Sequence, residues 1–195
     1  MRKFLFAFLM AATLVGTARA DQLDEATAAY NRGDFAGAVQ LLQPLASSGS
    51  SAAQYNLGLM YVQGKGVPQS FAEGAEWYRK AALQGDVEAQ HALGSMYEQG
   101  VGVPLDRAQA AMWYLNAAEH GDAVCQFRLG LMYARGDGVR SNYVEAYRWF
   151  TLARAGLPAG DADKAVTNRN AMIAVMTPAQ IAEAQKLARE WTPTK

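Results

Sequence analysis

The 195 residues carry 18 basic and 18 acidic side chains, a formal charge of zero, and a single cysteine, and 51% of them are hydrophobic. With Cys125 alone no intramolecular disulfide can form. No concentrated basic surface is available for a nucleic-acid groove or for electrostatic docking on anionic lipid. A chain of this length can bury a substantial core, so stability is expected from packing.

Residues 1–20 read as a cleavable secretory signal. Arg2 and Lys3 precede an apolar run from Phe4 to Val15, and Ala18-Arg19-Ala20 supplies small residues at the scissile end. A membrane anchor would need roughly 18 or more apolar residues, and no cysteine follows the cleavage point to carry a lipid. The mature chain is therefore expected to begin at Asp21, to insert in no membrane, and to work in the periplasm or outside the cell. Loss of the signal removes three basic residues and no acid, which takes the charge from zero to −3. Residues 21–195 hold 33 alanines, good helix formers whose small side chains let helices approach closely.

Residues 21–50 predict a short helical hairpin. Tyr30, Gly33, Phe35, Ala38 and Ala46-Ser47-Ser48-Gly49 share the framework of the copies that follow, and Asp34 can cap the second helix. Tyr30 and Phe35 are five residues apart where Tyr61 and Phe71 are ten apart, so this hairpin lacks a loop insertion. Pro44 is expected to kink or shorten its second helix, because proline has no backbone N–H to donate.

A tandem repeat begins at Ser51. Residues 51–86 and 87–122 are identical at 19 of 36 positions, and 123–158 keeps 11 identities with the second copy. Each copy predicts two helices. The first carries Leu57-Gly58, Met60 and Tyr61, then Leu93-Gly94, Met96 and Tyr97, then Leu129-Gly130, Met132 and Tyr133, on one helix face. The second carries Trp77-Tyr78, Trp113-Tyr114 and Trp149-Phe150, with Ala81, Ala117 and Ala153 one turn on.

The helix borders repeat with the same period. Ser70, Asp106 and Asn142 are candidate N-caps of the second helices, with Glu73, Gln109 and Glu145 placed to complete capping boxes. Ser50, Asp86 and Asp122 serve the first helices, each after a glycine (Gly49, Gly85, Gly121) suited to ending the preceding helix in a left-handed conformation. Between the two helices lie Gly64-Lys65-Gly66, Gly100-Val101-Gly102 and Gly136-Asp137-Gly138. The strand and the Lys-Ser/Thr of a phosphate loop are missing, so these predict turns.

After Gly156 the repeat breaks at Leu157-Pro158-Ala159-Gly160. Asp161 is expected to cap a helix with Val166, Arg169, Ile173 and Met176 along one side. Thr177-Pro178-Ala179-Gln180 opens another, with Ile181, Ala184, Leu187, Ala188 and Trp191 as its stripe. Residues 159–195 thus predict a C-terminal cap, a pair with one polar outer and one apolar inner face.

The pattern A-Q-x-x-L-G-x-M-Y-x-x-G-x-G-V, followed by A-x-x-W-[YF] and A-A-x-x-G, resembles the Sel-one-like repeat family, a relative of the tetratricopeptide repeats. The likeness covers two full copies, a third in which Arg154 replaces Ala82 and Ala118, and the shorter copy before them. It implies an all-α fold, an alpha-alpha superhelix (solenoid) of antiparallel helix pairs. It also implies an adaptor that holds a partner protein or peptide and has no catalytic apparatus. The segment from Met176 to Trp191 looks like the tail of many bacterial members.

In tetratricopeptide-type repeats the first helix of each pair lines a concave groove. Carried onto this sequence, the groove positions are Tyr55, Leu59 and Val62, then His91, Ser95 and Glu98, then Phe127, Leu131 and Ala134. The face is apolar at both ends and polar in the middle, which suits an extended peptide or a helix with two apolar anchors separated by a hydrogen-bonding or basic group. Two other readings stand beside it: Tyr55 and Phe127 pack against neighbouring first helices, or the C-terminal helices fold across that end of the groove.

Signals for chemistry are weak. His91 and His120 occupy inequivalent repeat positions, so no His-x-x-x-His or His/Cys metal pair is expected, and neither is any metal or other cofactor. His120 precedes Gly121 and suits a helix C-terminus. No serine is followed by x-x-Lys, and the paired cysteines of relatives linked to β-lactam binding are absent. Cys125 stands where the other copies have Ala53 and Ala89, so it is expected to be buried, with a redox or dimer-forming thiol as the other reading. The expected function is a non-catalytic periplasmic or secreted adaptor regulating an envelope or exopolysaccharide process. The alternative is a hydrolase or small-molecule binder acting on cell-wall components.

Overall fold

The computed structural model describes residues 21–194, which form ten helices and no strand; the expected signal sequence lies outside them. The chain divides into two compact units, one ending at Gln84 and the other beginning at Gly85.

The N-terminal unit contains α1 (21–31), α2 (Phe35–Ser47), α3 (Ser51–Gln63) and α4 (Phe71–Ala82). Ala29, Ala38, Leu42, Leu45, Leu57 and Met60 form its core, with Tyr30, Phe35 and Trp77 packed around them. Asp34, Ser50 and Ser70 cap α2, α3 and α4 by accepting from Gly37, Ala53 and Glu73 backbone N–H groups. α2 runs through Pro44 to Ser47 and is not shortened. The carbonyl that Pro44 leaves unpaired belongs to Gln40, which is exposed, so water can take the missing bond.

The C-terminal unit contains α5 (Val87–Gln99), α6 (Arg107–Glu119), α7 (Ala123–Arg135), α8 (Tyr143–Gly156), α9 (Ala159–Ile173) and α10 (Pro178–Glu190). Its repeats pack like the one before: α5 on α6, α6 on α7 and α7 on α8. The Leu-Gly pair has a direct cause. A Cβ at Gly94 would stand 2.7 Å from the Tyr114 ring, and one at Gly130 would stand 2.6 Å from Phe150. In the N-terminal unit Gly58 meets Tyr78 in the same way. The glycine lets the second helix seat its aromatic ring directly on the first.

The remaining framework residues join copies and turn the chain. Buried Gln126 donates from Nε2 to the Ala118 carbonyl in the last turn of the preceding helix, as Gln54 donates to Ala46. Gly64, Gly100 and Gly136 end their helices in the left-handed conformation. The glycine segments are turns, as expected.

Two local expectations fail at the C-terminal end. α9 begins at Ala159 after Pro158, with no side-chain cap; Asp161 lies in the first turn and pairs with Lys164 at 2.8 Å. Of the expected stripe only Met176, just past the end of α9, is buried; within the helix the buried residue is Ala165, and Ile173 is 39% exposed. Ala159 lies 36 residues after Ala123, so α9 enters in register with a first helix, and Ala165 takes the place of Leu129. The α10 stripe holds: Ala184 is buried, and Ile181 and Leu187 join Met172, Met176, Val144 and Tyr147 in a cluster. Tyr147 stands where the earlier copies have Ala75 and Ala111, supplying bulk for this final layer. The reciprocal capping box closes at Thr177 and Gln180, whereas Glu145 turns its carboxylate to Arg148.

Candidate functional site

All nine groove positions are half-buried, on helices whose other faces are core. In the N-terminal unit, Tyr55 of α3 lies against Tyr78 of α4, ring centroids 5.5 Å apart. Val62 seats on Gly74, where an added Cβ would come within 2.5 Å of its Cγ2. Leu59 lines a cavity of about 110 Å³ together with Tyr30, Leu42, Asn56 and Met60. Tyr30 is held in turn by Lys65, whose Nζ donates to the Tyr30 hydroxyl at 2.6 Å and lies over the Tyr30 and Phe35 rings. Burial, followed by the neighbouring Tyr55, pushes the Tyr78 phenol well above its ordinary value.

In the C-terminal unit the rings follow the same rule. Phe127 lies 5.7 Å from Phe150, and His91 meets the Tyr114 ring edge-on at 6.2 Å. Tyr55 and Phe127 thus pack on the second helix of their own repeat rather than on a neighbouring first helix, with part of each ring left open. The polar centre is tied internally. Glu98 accepts from the Tyr114 hydroxyl at 2.8 Å and pairs with Arg128 at 3.8 Å, and Ser95 accepts from Gln99. Burial first, then the bond to Glu98, raises the Tyr114 phenol strongly. Leu131 and Ala134, one and two turns after Phe127, stay partly open to solvent.

The sequence reading missed one constellation. It sought metal ligands one turn apart on a single helix, whereas the fold brings His91 of α5 to Cys125 of α7 around the N-cap Asp122. His91 Nδ1 lies 3.1 Å from Asp122 Oδ2, while Asp122 Oδ1 accepts from the Cys125 backbone N–H at 2.7 Å. Burial acts to raise the Asp122 carboxyl, but the bonds from His91 and Cys125 outweigh it and hold the group below the usual carboxylate value. Cys125 is 0% exposed, as its repeat position implies, and burial followed by the Asp122 charge pushes its thiol far up. The signal available in sequence was that both residues depart from the repeat, His91 from Tyr55 and Phe127, Cys125 from Ala53 and Ala89. His120 is the C-cap of α6, its Nδ1 2.8 Å from the Asn116 carbonyl.

The Sel1 repeat model matches residues 51–86, 87–122 and 123–156, more than half of the chain. The chain belongs to the Sel1 repeat family. The solved Sel1 repeat protein from Oxalobacter formigenes is 30% identical, with a TM-score of 0.68 over 76% of this chain and 58% of that one. A protective antigen of uropathogenic Escherichia coli strains, described as displaying an SLR fold, is 24% identical with a TM-score of 0.42, over 89% of this chain and 53% of that one. The chain thus spans a little over half the length of each. Comparison with curated proteins gives no match. Sel1-repeat proteins are generally protein-interaction scaffolds, and the fold is typically non-catalytic. Among the described residues no helix is long and apolar enough to cross a membrane.

Proposed function

We propose that this Sel1 repeat protein is a non-catalytic adaptor, exported by its N-terminal signal, that holds a partner protein through the open faces of its first helices. The observation that carries this reading is the behaviour of Leu59 and Leu131. They occupy the same repeat position, and each stays part-exposed on a helix whose other face is packed. In the N-terminal unit Leu59 also borders the apolar cavity, somewhat smaller than one that holds benzene (~150 Å³) and suited to one aliphatic side chain of a partner. Repeat arrays of this kind usually bind on such faces. The internal ties of Glu98 and Ser95 favour an apolar anchor over a basic one, since a basic group would have to displace Arg128 or the Tyr114 hydroxyl.

The test uses a partner isolated by crosslinking in the native cell and then purified. Leu59→Glu and Leu131→Glu should each weaken its binding by more than about tenfold, since each buries an unpaired charge in the interface. Met112→Glu, at an exposed position on α6, should leave binding intact. Binding lost with Met112→Glu and kept with both leucine variants would reject the first-helix face.

A further inference from the structure

We propose that His91, Asp122 and Cys125 form a binding site for a borderline-soft divalent cation of the zinc class. One ligand atom from each residue, an imidazole nitrogen, a carboxylate oxygen and the thiol sulfur, lies within 4.8 Å of the other two. In a tetrahedral zinc site, bond lengths of about 2.0–2.3 Å place ligand atoms roughly 3.3–3.8 Å apart. The His91–Asp122 edge is already 3.1 Å, so closure asks about 1 Å of the remaining edges, within reach of side-chain rotation. The donor set of one nitrogen, one oxygen and one sulfur suits zinc and cobalt(II) over magnesium or calcium, which take oxygen alone.

The repeat itself argues that the constellation is more than incidental. Cys125 is the only cysteine in the chain, and His91 is the one histidine at a groove position. The framework supplies Ala at the first position and an aromatic ring at the second. Two independent departures meet at a single N-cap aspartate in three dimensions, though 34 residues separate them in sequence. Asp122 keeps both duties: Oδ1 caps α7 through the Cys125 N–H, which leaves Oδ2 on the His91 side for the cation. The His91 side chain is 35% exposed and that of Asp122 18% exposed, so an ion can enter from their side while the sulfur lies at the buried end. Binding is a proton exchange: the metal–sulfur bond forms as the S–H bond breaks, and the thiol proton leaves to solvent. A fourth position stays open to water, as in sites with three protein ligands.

The probe is Co²⁺ added to the purified protein, competed by Zn²⁺. One equivalent should give the thiolate-to-cobalt charge-transfer absorption, with displacement by zinc and a metal-dependent rise in melting temperature. The variants are taken from the repeat's own alphabet, which guards folding. Cys125→Ala copies Ala53 and Ala89, His91→Tyr copies Tyr55, and Asp122→Asn keeps a capping side chain of the kind Asn142 uses on α8. Cys125→Ala should abolish the charge-transfer band with the helical signal unchanged. His91→Tyr and Asp122→Asn should each weaken cobalt binding at least about tenfold. Absence of the thiolate band at excess Co²⁺ overturns the proposal, as does a band of undiminished affinity in His91→Tyr. If Cys125→Ala unfolds, the other two variants decide by the same criterion.

Discussion

Gly94→Ala tests the packing rule on which every repeat depends. The added Cβ would stand 2.7 Å from Tyr114 Cδ1 and 2.8 Å from Cε1. Carbon atoms pack at about 3.5–4.0 Å, so roughly 1 Å of separation must be found between α5 and α6. The ring has little freedom to yield, being 1% exposed and tied to Glu98 through its hydroxyl. Overpacking of this kind costs about 1–3 kcal/mol, while exchanging a helical glycine for alanine returns about 1 kcal/mol. A net loss of about 1 kcal/mol is expected, and more for Gly130→Ala, whose Cβ would meet three Phe150 ring atoms at 2.6–3.0 Å. Gly160→Ala is the control: a Cβ there meets nothing within 4 Å, so the change should be neutral or mildly stabilising. Urea unfolding followed by helical circular dichroism reads these differences as midpoint shifts at constant slope. A Gly94→Ala protein as stable as its parent would refute the close-contact explanation of the Leu-Gly pair.

Burial holds the Tyr78 and Tyr114 phenols protonated in the folded state above their ordinary value of 10.0. The stability they contribute is full below that pH and falls as pH rises beyond it, by about 1.4 kcal/mol per pH unit for each tyrosine. Urea midpoints that stay level through the alkaline range, or fall equally steeply in Tyr78→Phe, would contradict this. Cys125 should react with a thiol reagent only as fast as the helix pair around it opens, so labelling should accelerate with denaturant. Rapid, complete labelling of the folded protein would place the thiol at the surface.

The fold was legible because its borders are written in short-range chemistry. Asp86, Asp106 and Asp122 accept from first-turn amides, and Gly100 and Gly136 end their helices left-handed, as their spacing implies. The misreadings arose where tertiary contact sets the outcome. Pro44 marks a kink or a shortened helix by its missing donor, yet α2 runs on to Ser47 and the carbonyl left unpaired is that of exposed Gln40. The spacing of Val166, Arg169 and Ile173 marks one side of α9, whereas the small Ala165 is the residue of that helix that seats in the core. The nine groove positions are what the tetratricopeptide resemblance implies once the repeat register is known, but the ties among Glu98, Tyr114 and Arg128 depend on residues 16 and 30 positions away from Glu98. The proximity of His91 and Cys125 is hidden for the same reason: residues 34 apart share no helix face, and only the approach of His91 to the Asp122 N-cap of α7 brings them together.

Docking of a partner on the first-helix faces can be read by a photo-crosslinking side chain placed at Leu131 and, separately, at Met112, in the protein expressed in its native cell. One discrete protein adduct is expected from position 131 and none from position 112. An adduct formed from position 112 and not from 131 would contradict it.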